Sequence, residues 1–235
     1  MARTPPTPVR QVLGAAAGRA TDTLGSLIGA AARAVDRRLD ALGLAPPPLD
    51  LPSGVRDDLR AFFGHTIDPS EVTIRRGHVP GVPHPRAFAL PGLIYLGVDA
   101  GIVRAGGGGD QQLRATPTLV HELVHVWQGR VVGPRYVVIA LVEQALKGRR
   151  AYDWRAVLDR AAHDHAPQDR APLNRVPWMF PVEAHAQLVS DAYARRHGFT
   201  RLTVDAGHDR EPRAVEEVLA GLRAGRAPTL RARAV

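Results

Sequence analysis

The feature that most constrains how this chain can fold is a pair of histidines set four residues apart inside an apolar segment. His121 and His125 enclose Glu122, Leu123 and Val124, and hydrophobic residues flank the pentapeptide on both sides. Residues four apart lie about one turn apart on the same face of an α-helix, so both imidazoles can reach one point. Burying two imidazoles and a carboxylate in so apolar a helix is costly unless something compensates them. The segment therefore predicts a buried helix that binds a cation.

The absence of cysteine limits what can hold such a cation. The chain contains no cysteine, which excludes disulfide scaffolds, thiolate zinc fingers and cysteine nucleophiles, so a metal must be held by His, Asp or Glu. Histidine nitrogens bind Zn²⁺ at about 2.0–2.1 Å, and we expect His121 and His125 to be two ligands of one zinc ion. Glu122 lies about 100° around the helix from His121. It is near enough to contact a water molecule that the metal activates and is the expected general base.

A third ligand is required, because a catalytic zinc site normally has three protein ligands. Glu183 heads a predicted helix and is the only glutamate between Glu143 and Glu211, so we expect it to complete a His–His–Glu site. The alternative interpretation of Glu183 is a first-turn glutamate favoured by the helix dipole. Gln187 and Asp191, one and two turns further along, are expected to hold a ligand in place through hydrogen bonds.

Other side chains compete for these roles. The remaining candidate ligands are three histidines, His185, His163 and His165. His185 lies about 200° from Glu183 around the helix and cannot share its face, while the other two fall in a polar segment where exposed histidines are common. The candidate oxyanion donors are three tyrosines, Tyr95, Tyr152 and Tyr193. The sequence does not choose among these tyrosines, because most tyrosines are amphipathic packing residues.

Composition and charge exclude several other classes of protein. Of the 235 residues, 45% are hydrophobic and 23% are charged, a balance typical of folded globular proteins. The net charge of +8 is spread along the chain, and only the C-terminal stretch from Arg223 to Arg233 is locally basic, which argues against a nucleic-acid-binding protein. No segment reaches the ~18 uninterrupted apolar residues of a membrane span. We expect a cytoplasmic protein, with export without a cleaved signal peptide as the alternative.

The pattern of apolar residues predicts an α+β fold that is predominantly helical. Residues 1–49 are expected to form an N-terminal amphipathic helix and a Pro-rich linker. Residues 50–200 are expected to form the core domain, and residues 201–235 a C-terminal helix and a basic tail. Short strands are predicted at 72–75, 87–90 and 93–96. Helices are predicted at 55–63, 117–129, 134–147, 153–163, 182–197 and 212–223.

Two local features refine this prediction. Thr116 and Pro117 are typical of an N-cap and a first helical residue, so the helix with the two histidines should begin there. The small sheet is expected to lie beside that helix. The stretch Leu93–Gly97 is expected to be an edge strand that can pair with an extended peptide.

The segment Pro117–Gln128, which reads PTLVHELVHVWQ, resembles the metallopeptidase-like core domain associated with extracellular contractile injection systems and bacterial toxin proteins. Upstream, Val72–Ile74 and Leu93–Gly97 are similar to the usual pair of β segments of that family. Downstream, Glu183–Gln187 is similar to the glutamate-containing helix of its longer members. The resemblance covers roughly residues 50–197.

The resemblance implies a zincin-like fold, named for zinc proteins with the HExxH motif. It implies that His121 and His125 are zinc ligands, that Glu122 is the catalytic base, and that the partner is an injection system or a toxin. The residues and the resemblance together predict a zinc-dependent metallopeptidase with a peptide or protein substrate. The alternative is a catalytically silent, metal-stabilised module for binding or cargo targeting, in which the N-terminal helix and the basic tail make the interactions.

Overall fold

A computed structural model describes residues 8–80, 86–105, 112–164, 180–199 and 211–226. These residues form an α+β structure in which helices predominate, as the sequence predicts. The α-helices are α1 (Pro8–Ala41), α2 (Ser53–Phe63), α3 (Pro117–Val131), α4 (Arg135–Lys147), α5 (Trp154–Asp164), α6 (Val182–Arg196) and α7 (Glu211–Arg223). The strands are β1 (Thr73–Arg75), β2 (Phe88–Leu90), β3 (Leu93–Tyr95), β4 (Ile102–Ala105) and β5 (Gln112–Ala115). A 3-10 helix, Gly148–Tyr152, joins α4 to α5.

Helix α3 is the centre of the molecule. Its start is set locally, since Thr116 Oγ1 accepts a hydrogen bond from Leu119 N at 3.1 Å and Pro117 occupies the first turn. Every residue from Leu119 to Gln128 is buried. A helix that is buried on all sides belongs to the interior of a domain. The polar side chains on α3 are therefore held away from bulk water.

The main hydrophobic core surrounds α3 with residues from α2, β1, β3, α6 and α7. Its largest fully buried side chains include Trp127, Phe62, Phe63 and Tyr193. A second, smaller cluster lies between the three-stranded sheet and α4 and includes Leu93. Helix α6 packs against α3 over its length, and Ser190 Oγ donates to Pro117 O at 2.7 Å across that contact.

The three-stranded sheet has the order β1-β3-β2. Strands β1 and β3 are parallel with Ile74 opposite Ile94, and β2 and β3 are antiparallel with Ala89 opposite Ile94. The expectation that Leu93–Gly97 is an edge strand is therefore wrong, because β3 has a neighbour on each side. The reason is that β1, twenty residues earlier in the chain, pairs with it. At the outer side of β2, Tyr136 of α4 donates its hydroxyl to Ala89 O at 3.2 Å.

The second sheet is an antiparallel pair that the sequence analysis missed. Strands β4 and β5 pair with Ile102 opposite Ala115. Each strand has only four residues, and the glycine-rich residues between them lie outside the described part of the chain. β5 leads directly into Thr116, so this hairpin delivers the chain to the start of α3.

The predicted N-terminal helix is present as α1 and packs against α4. A Cβ atom on Gly25 would lie 2.1 Å from Pro134 O, so the two backbones approach closely enough to require glycine at that position. The large apolar side chains Leu24, Leu27 and Val35 of α1 are 50–63% exposed. The structure does not confirm the prediction that this helix is amphipathic with its apolar face turned toward the core.

Helix α1 is also tied to the three-stranded sheet through a buried acidic residue. Asp36 accepts hydrogen bonds from Arg75 Nε and Nη2 at 3.1 and 3.0 Å and from the Tyr95 hydroxyl at 2.6 Å. Burial opposes ionisation of Asp36, but the hydrogen bonds from Arg75 and Tyr95 outweigh it and lower the pKa of the carboxyl. The predicted linker at 45–48 runs beside β1, with Pro48 bridged to Arg75.

Among the described residues, none of the helices combines the length and the apolar character that crossing a membrane requires. Helix α7 confirms the predicted C-terminal helix. The basic tail that follows it lies outside the described residues from position 227 onward.

Candidate metal centre

Helices α3 and α6 bring His121, His125 and Glu183 together in the interior. His121 Nε2 lies 3.3 Å from Glu183 Oε2, His125 Nε2 lies 3.4 Å from the same oxygen, and the two imidazole nitrogens are 3.1 Å apart. The three residues are only 8%, 5% and 1% exposed. This buried group can hold a metal ion.

The separations of the donor atoms fit a single small cation. Ligand atoms at 2.0–2.1 Å from one tetrahedral ion lie about 3.3 Å from each other, and the three distances observed here span 3.1–3.4 Å. Two nitrogen lone pairs that face each other at this range repel unless a proton or a metal ion lies between them. The donor set of two imidazoles and one carboxylate suits Zn²⁺ and similar first-row metals.

Electrostatics within the cluster also favour a cation. Burial disfavours the charged form of His125, but the hydrogen bond and the negative charge of Glu183 outweigh it and raise the pKa of His125 to about 9. Burial alone would raise the pKa of Glu183, yet the hydrogen bonds from His121 and His125 lower it well below its ordinary value. Glu183 is therefore an ionised, nearly inaccessible carboxylate that needs a positive partner.

Gln128, one turn beyond His125 on α3, fixes the orientation of that imidazole. Its Nε2 donates to Val182 O at 3.0 Å and to His185 Nδ1 at 3.1 Å, which leaves Oε1 to accept from His125 Nδ1 at 2.8 Å. When His125 is neutral its proton therefore lies on Nδ1, and Nε2 presents a lone pair to the cluster. A buried amide that is only 1% exposed thus links α3 to α6 and orients a ligand.

Helix α4 holds Glu183 from the other side. Gln144 Nε2 donates to Glu183 Oε1 at 2.7 Å, which turns Oε2 toward the histidines. Glu143 Oε2 accepts from the backbone nitrogen of Glu183 at 3.2 Å. This acceptor from another helix serves the first turn of α6, where Pro181 provides no side-chain cap.

Glu122 lines a cleft beside the three donor groups. Its Oε2 is buried and has no hydrogen-bond partner within the part of the chain that the structure describes. Burial raises the pKa of Glu122, and the neighbouring histidines act in the opposite direction. An unpartnered buried carboxylate oxygen is unusual in a folded protein. The position suits a group that accepts a proton from a bound molecule.

The cleft has a volume of about 540 Å³ and opens onto His121 and Glu122. Its other walls come from the segment before β2, the residues that follow β3, the first turn of α3, the 3-10 helix and α6. Tyr152 lines it, with its ring centre 5.8 Å from that of His121. Burial raises the pKa of Tyr152, and a hydrogen bond from Arg86 opposes that rise. Because Arg86 can only donate, the Tyr152 oxygen is the acceptor, and its own proton can point into the cleft.

The other two candidate oxyanion donors do not line the cleft. The Tyr95 hydroxyl donates to Asp36 at 2.6 Å, and the Tyr193 hydroxyl donates to Asp58 at 2.6 Å. Their phenolic protons are therefore engaged by carboxylates of α1 and α2. Of the three tyrosines named from the sequence, Tyr152 is the one that the fold places beside His121.

Gln187 and Asp191 bind each other rather than a ligand. Gln187 lines the cleft and its Nε2 donates to Asp191 Oδ1 at 2.7 Å, while Asp191 Oδ2 accepts from Trp154 Nε1 at 2.7 Å. Together they fix α5 to α6. Neither side chain contacts His121, His125 or Glu183 through a hydrogen bond that the structure shows.

Of the three competing histidines, the structure describes the side chain of His185. His185 is buried between α6 and α3, where its Nδ1 meets the amide of Gln128 and its ring stacks on Trp127. Burial and the positive charge of the neighbouring histidines lower its pKa to about 4. The side chain of His163 and all of His165 lie outside the described residues.

The sequence analysis did not identify the three residues that hold the ligands in place, Gln128, Gln144 and Glu143. Gln128 had a usable signal, since a residue three positions after His125 lies on the same helix face. Gln144 and Glu143 had none, because their role depends on how α4 packs against α6.

Comparisons of this chain with models of known protein families, with curated proteins and with solved structures find no match. The function is therefore inferred from the site itself.

Proposed function

We propose that this protein is a zinc-dependent peptidase. The observation that carries the proposal is the combination of three converging donors with a buried carboxylate beside them: His121, His125 and Glu183 can hold the ion, and Glu122, which lines the cleft, has a carboxylate oxygen without a partner among the described residues. A site needed only for structural metal binding would have no use for a fourth, uncompensated acidic group.

Zinc bound there would polarise the scissile carbonyl and lower the pKa of an attacking water toward about 7. The protein's own residues supply the rest of the mechanism. The Glu122 carboxylate takes the proton of the attacking water and delivers it to the leaving amine nitrogen. Tyr152 donates its phenolic hydrogen to the oxygen that becomes negative as the carbonyl is attacked. The apolar surroundings of α3 strengthen both interactions because they exclude bulk water.

The fold supports a zincin-like arrangement. The helix with the HExxH motif lies against a three-stranded sheet, and the acidic third ligand comes from a second helix packed against the first. The resemblance of Pro117–Gln128 to metallopeptidase-like domains points to the same reaction. It also supports association with a contractile injection system or a toxin.

The proposal is tested by metal analysis and peptide hydrolysis on three variants. Glu122→Gln should retain one zinc ion per chain and lose hydrolysis, because the base is removed while the ligands stay. His121→Ala and Glu183→Ala should lose the zinc. Hydrolysis by Glu122→Gln at the wild-type rate would refute the assigned base, and an unchanged zinc content in Glu183→Ala would refute the third ligand.

A second candidate function is a metal-stabilised binding or cargo-targeting module without turnover. The observation that favours it is the row of exposed apolar side chains on α1, formed by Leu24, Leu27 and Val35, which suits a helix that binds a partner. This candidate also needs His121 and His125. It predicts that zinc raises stability but that no peptide is cleaved by wild-type protein at a rate above that of Glu122→Gln.

A further inference from the structure

Helix α1 carries a second row of apolar residues that faces away from the rest of the molecule. On its inner side, Ile28 and Ala32 pack against the smaller hydrophobic cluster, and Asp36 is bonded to the three-stranded sheet. The outer row consists of residues three and four positions apart, and every one of them is exposed. These residues, called here the outer seam, are Ala20, Leu24, Leu27, Ala31, Ala34, Arg38 and Ala41. The seam runs along about 30 Å of helix axis.

The spacing of the outer seam matches the surface that one helix presents to another. Alternating steps of three and four residues repeat every seven positions, which is the pattern at the contact between two packed helices. Six of the seven members are apolar and four of them are alanines, so a second helix can approach closely. Val35 and Leu42 lie beside the seam and are exposed as well, which widens the apolar face. The seam therefore fits the apolar face of another helix.

The acidic residues of α1 are engaged with other parts of the fold. Asp22 forms an ion pair with Arg135 of α4 at 3.4 Å. Asp36 and Asp40 both form ion pairs with Arg75 of β1, at 3.0 and 2.8 Å. No other acidic residue occurs in α1. The helix therefore offers a partner no acidic group that is not already in an ion pair.

Three arginines of α1 are exposed and form no such pair. Arg19, Arg37 and Arg38 make no ion pair with any residue in the part of the chain that the structure describes. Arg38 belongs to the outer seam, Arg37 precedes it, and Arg19 precedes the first seam residue at the other end. A helix that packs along the seam therefore meets positive charge near both ends of the contact.

Two other occupants fit these observations less well. A second copy of α1 would bring the same arginines to the contact and no free acidic group, so like charges would meet. A helix that lies on a membrane typically inserts Trp or Phe beside Leu, whereas α1 contains no aromatic residue. A lipid surface also gives no reason for alanines at regular seam positions.

We propose that the outer seam binds an amphipathic helix of a partner protein whose apolar face is flanked by acidic residues. The partner's apolar side chains would cover Leu24 and Leu27, and its carboxylates would pair with the arginines at the two ends. This inference goes beyond the proposed peptidase reaction and does not depend on it, because no residue of α1 lines the cleft.

Binding is measured by fluorescence anisotropy with the full-length protein and three labelled synthetic peptides of about four heptads. The Glu peptide has Leu at both core positions of each heptad and Glu at the flanking positions. The Lys peptide has Lys in place of those glutamates, and the third peptide is a scrambled form of the Glu peptide. We expect the Glu peptide to bind about tenfold more tightly than either of the others, with its advantage over the Lys peptide reduced at high salt.

Leu27→Asp tests whether the apolar seam makes the contact. A charge placed in the middle of the seam would be buried by the partner, so the affinity for the Glu peptide should fall about tenfold or more. Leu113→Asp is the matched control, since it makes the same change at an exposed leucine of β5, and it should retain the affinity. Circular dichroism checks that both variants are folded. Equal loss of affinity in the two variants would refute the seam as the binding surface.

Arg19→Glu combined with Arg38→Glu tests the charge of the partner. The double variant should prefer the Lys peptide to the Glu peptide, a gain of binding that unfolding cannot produce. Arg104→Glu combined with Arg150→Glu makes the same charge change at two exposed arginines outside α1 and should keep the original preference. Reversal of the preference in both double variants would show an effect of net charge alone and overturn the assignment.

The other occupants give different results. A wild-type dimer in light scattering that Leu27→Asp dissociates would assign the seam to a second copy. Binding to phosphatidylserine vesicles without binding to the Glu peptide would assign it to a membrane. Each of these results, or equal affinity for the Glu peptide and its scrambled form, overturns the proposal. Selective binding of the Glu peptide by a protein that cleaves no peptide would refute the peptidase function and leave the partner of the seam unchanged.

Discussion

The contact between Gln128 and His125 yields the sharpest prediction about the metal centre. Gln128→Met replaces the amide by an apolar side chain of nearly the same length, so the shape of the α3–α6 contact is kept. Two polar atoms then lose their partner, His125 Nδ1 and His185 Nδ1. Val182 O loses one donor, but it lies in the first turn of α6, where carbonyls accept a hydrogen bond from the helix itself. The imidazole of His125 is left free to rotate away from the orientation that points Nε2 at the cluster.

The size of the effect on zinc affinity and of the effect on stability can both be worked out from the structure. Removal of a hydrogen-bond partner that orients a ligand typically costs 10–100-fold in metal affinity, or about 1.4–2.7 kcal/mol. Each buried polar atom left without a partner costs about 1–3 kcal/mol. We therefore expect the zinc affinity of folded Gln128→Met to fall by about 10–100-fold and its free energy of unfolding to fall by about 2 kcal/mol or more.

Zinc affinity is measured by competition with a chelator of known affinity, at a temperature where circular dichroism shows each variant to be folded. Ser190→Ala is the matched control, since it removes one other hydrogen bond between α6 and α3 without touching a ligand. The control should lose about 1 kcal/mol of stability and none of the zinc affinity. A folded Gln128→Met variant that binds zinc within twofold of the wild-type affinity would refute the orienting role.

Three further predictions concern the cleft and helix α1. Tyr152→Phe should retain zinc and lower kcat about 100-fold in steady-state peptide hydrolysis, because it lacks the oxyanion donor. Asp36→Asn should lower the free energy of unfolding by about 2 kcal/mol at pH 7. Because the pKa of Asp36 is lowered by folding, urea unfolding should show this difference complete above about pH 4 and shrinking at lower pH. Gly25→Ala should cost about 2 kcal/mol or more in urea unfolding, since its Cβ would meet Pro134 O at 2.1 Å. Gly18→Ala, with open space around its Cβ, should not destabilise the protein.

The parts of the site that could be predicted are those that depend on one helix at a time. The spacing of His121 and His125 and the cap at Thr116 are local properties of α3, and the structure has them as predicted. Glu183 could be predicted because the chain offers few acidic residues at a helix start. Its carboxylate meets the two histidines as that expectation requires.

The parts that could not be predicted depend on contacts between distant segments. Strand β3 is central because β1 pairs with it in parallel, and a parallel partner leaves no mark in the sequence of the strand itself. Tyr152 reaches the cleft only because the 3-10 helix turns the chain back toward α3. Tyr95 lies in a predicted strand among apolar residues, and that pattern does not show which group its hydroxyl reaches. Asp36 of α1 engages its hydroxyl instead.

Two of the buried acidic residues, Asp36 and Glu122, differ in a way that bears on function. Asp36 is satisfied by two hydrogen bonds from Arg75 and one from Tyr95, as a group retained for structure should be. Glu122 is equally buried, yet one of its oxygens has no partner in the described chain. Folding alone would favour an amide or an apolar residue at that position. The carboxylate there lowers the stability of the fold, and no hydrogen bond from the described residues to its buried oxygen offsets that loss. This pattern is expected where a residue is kept for its chemistry.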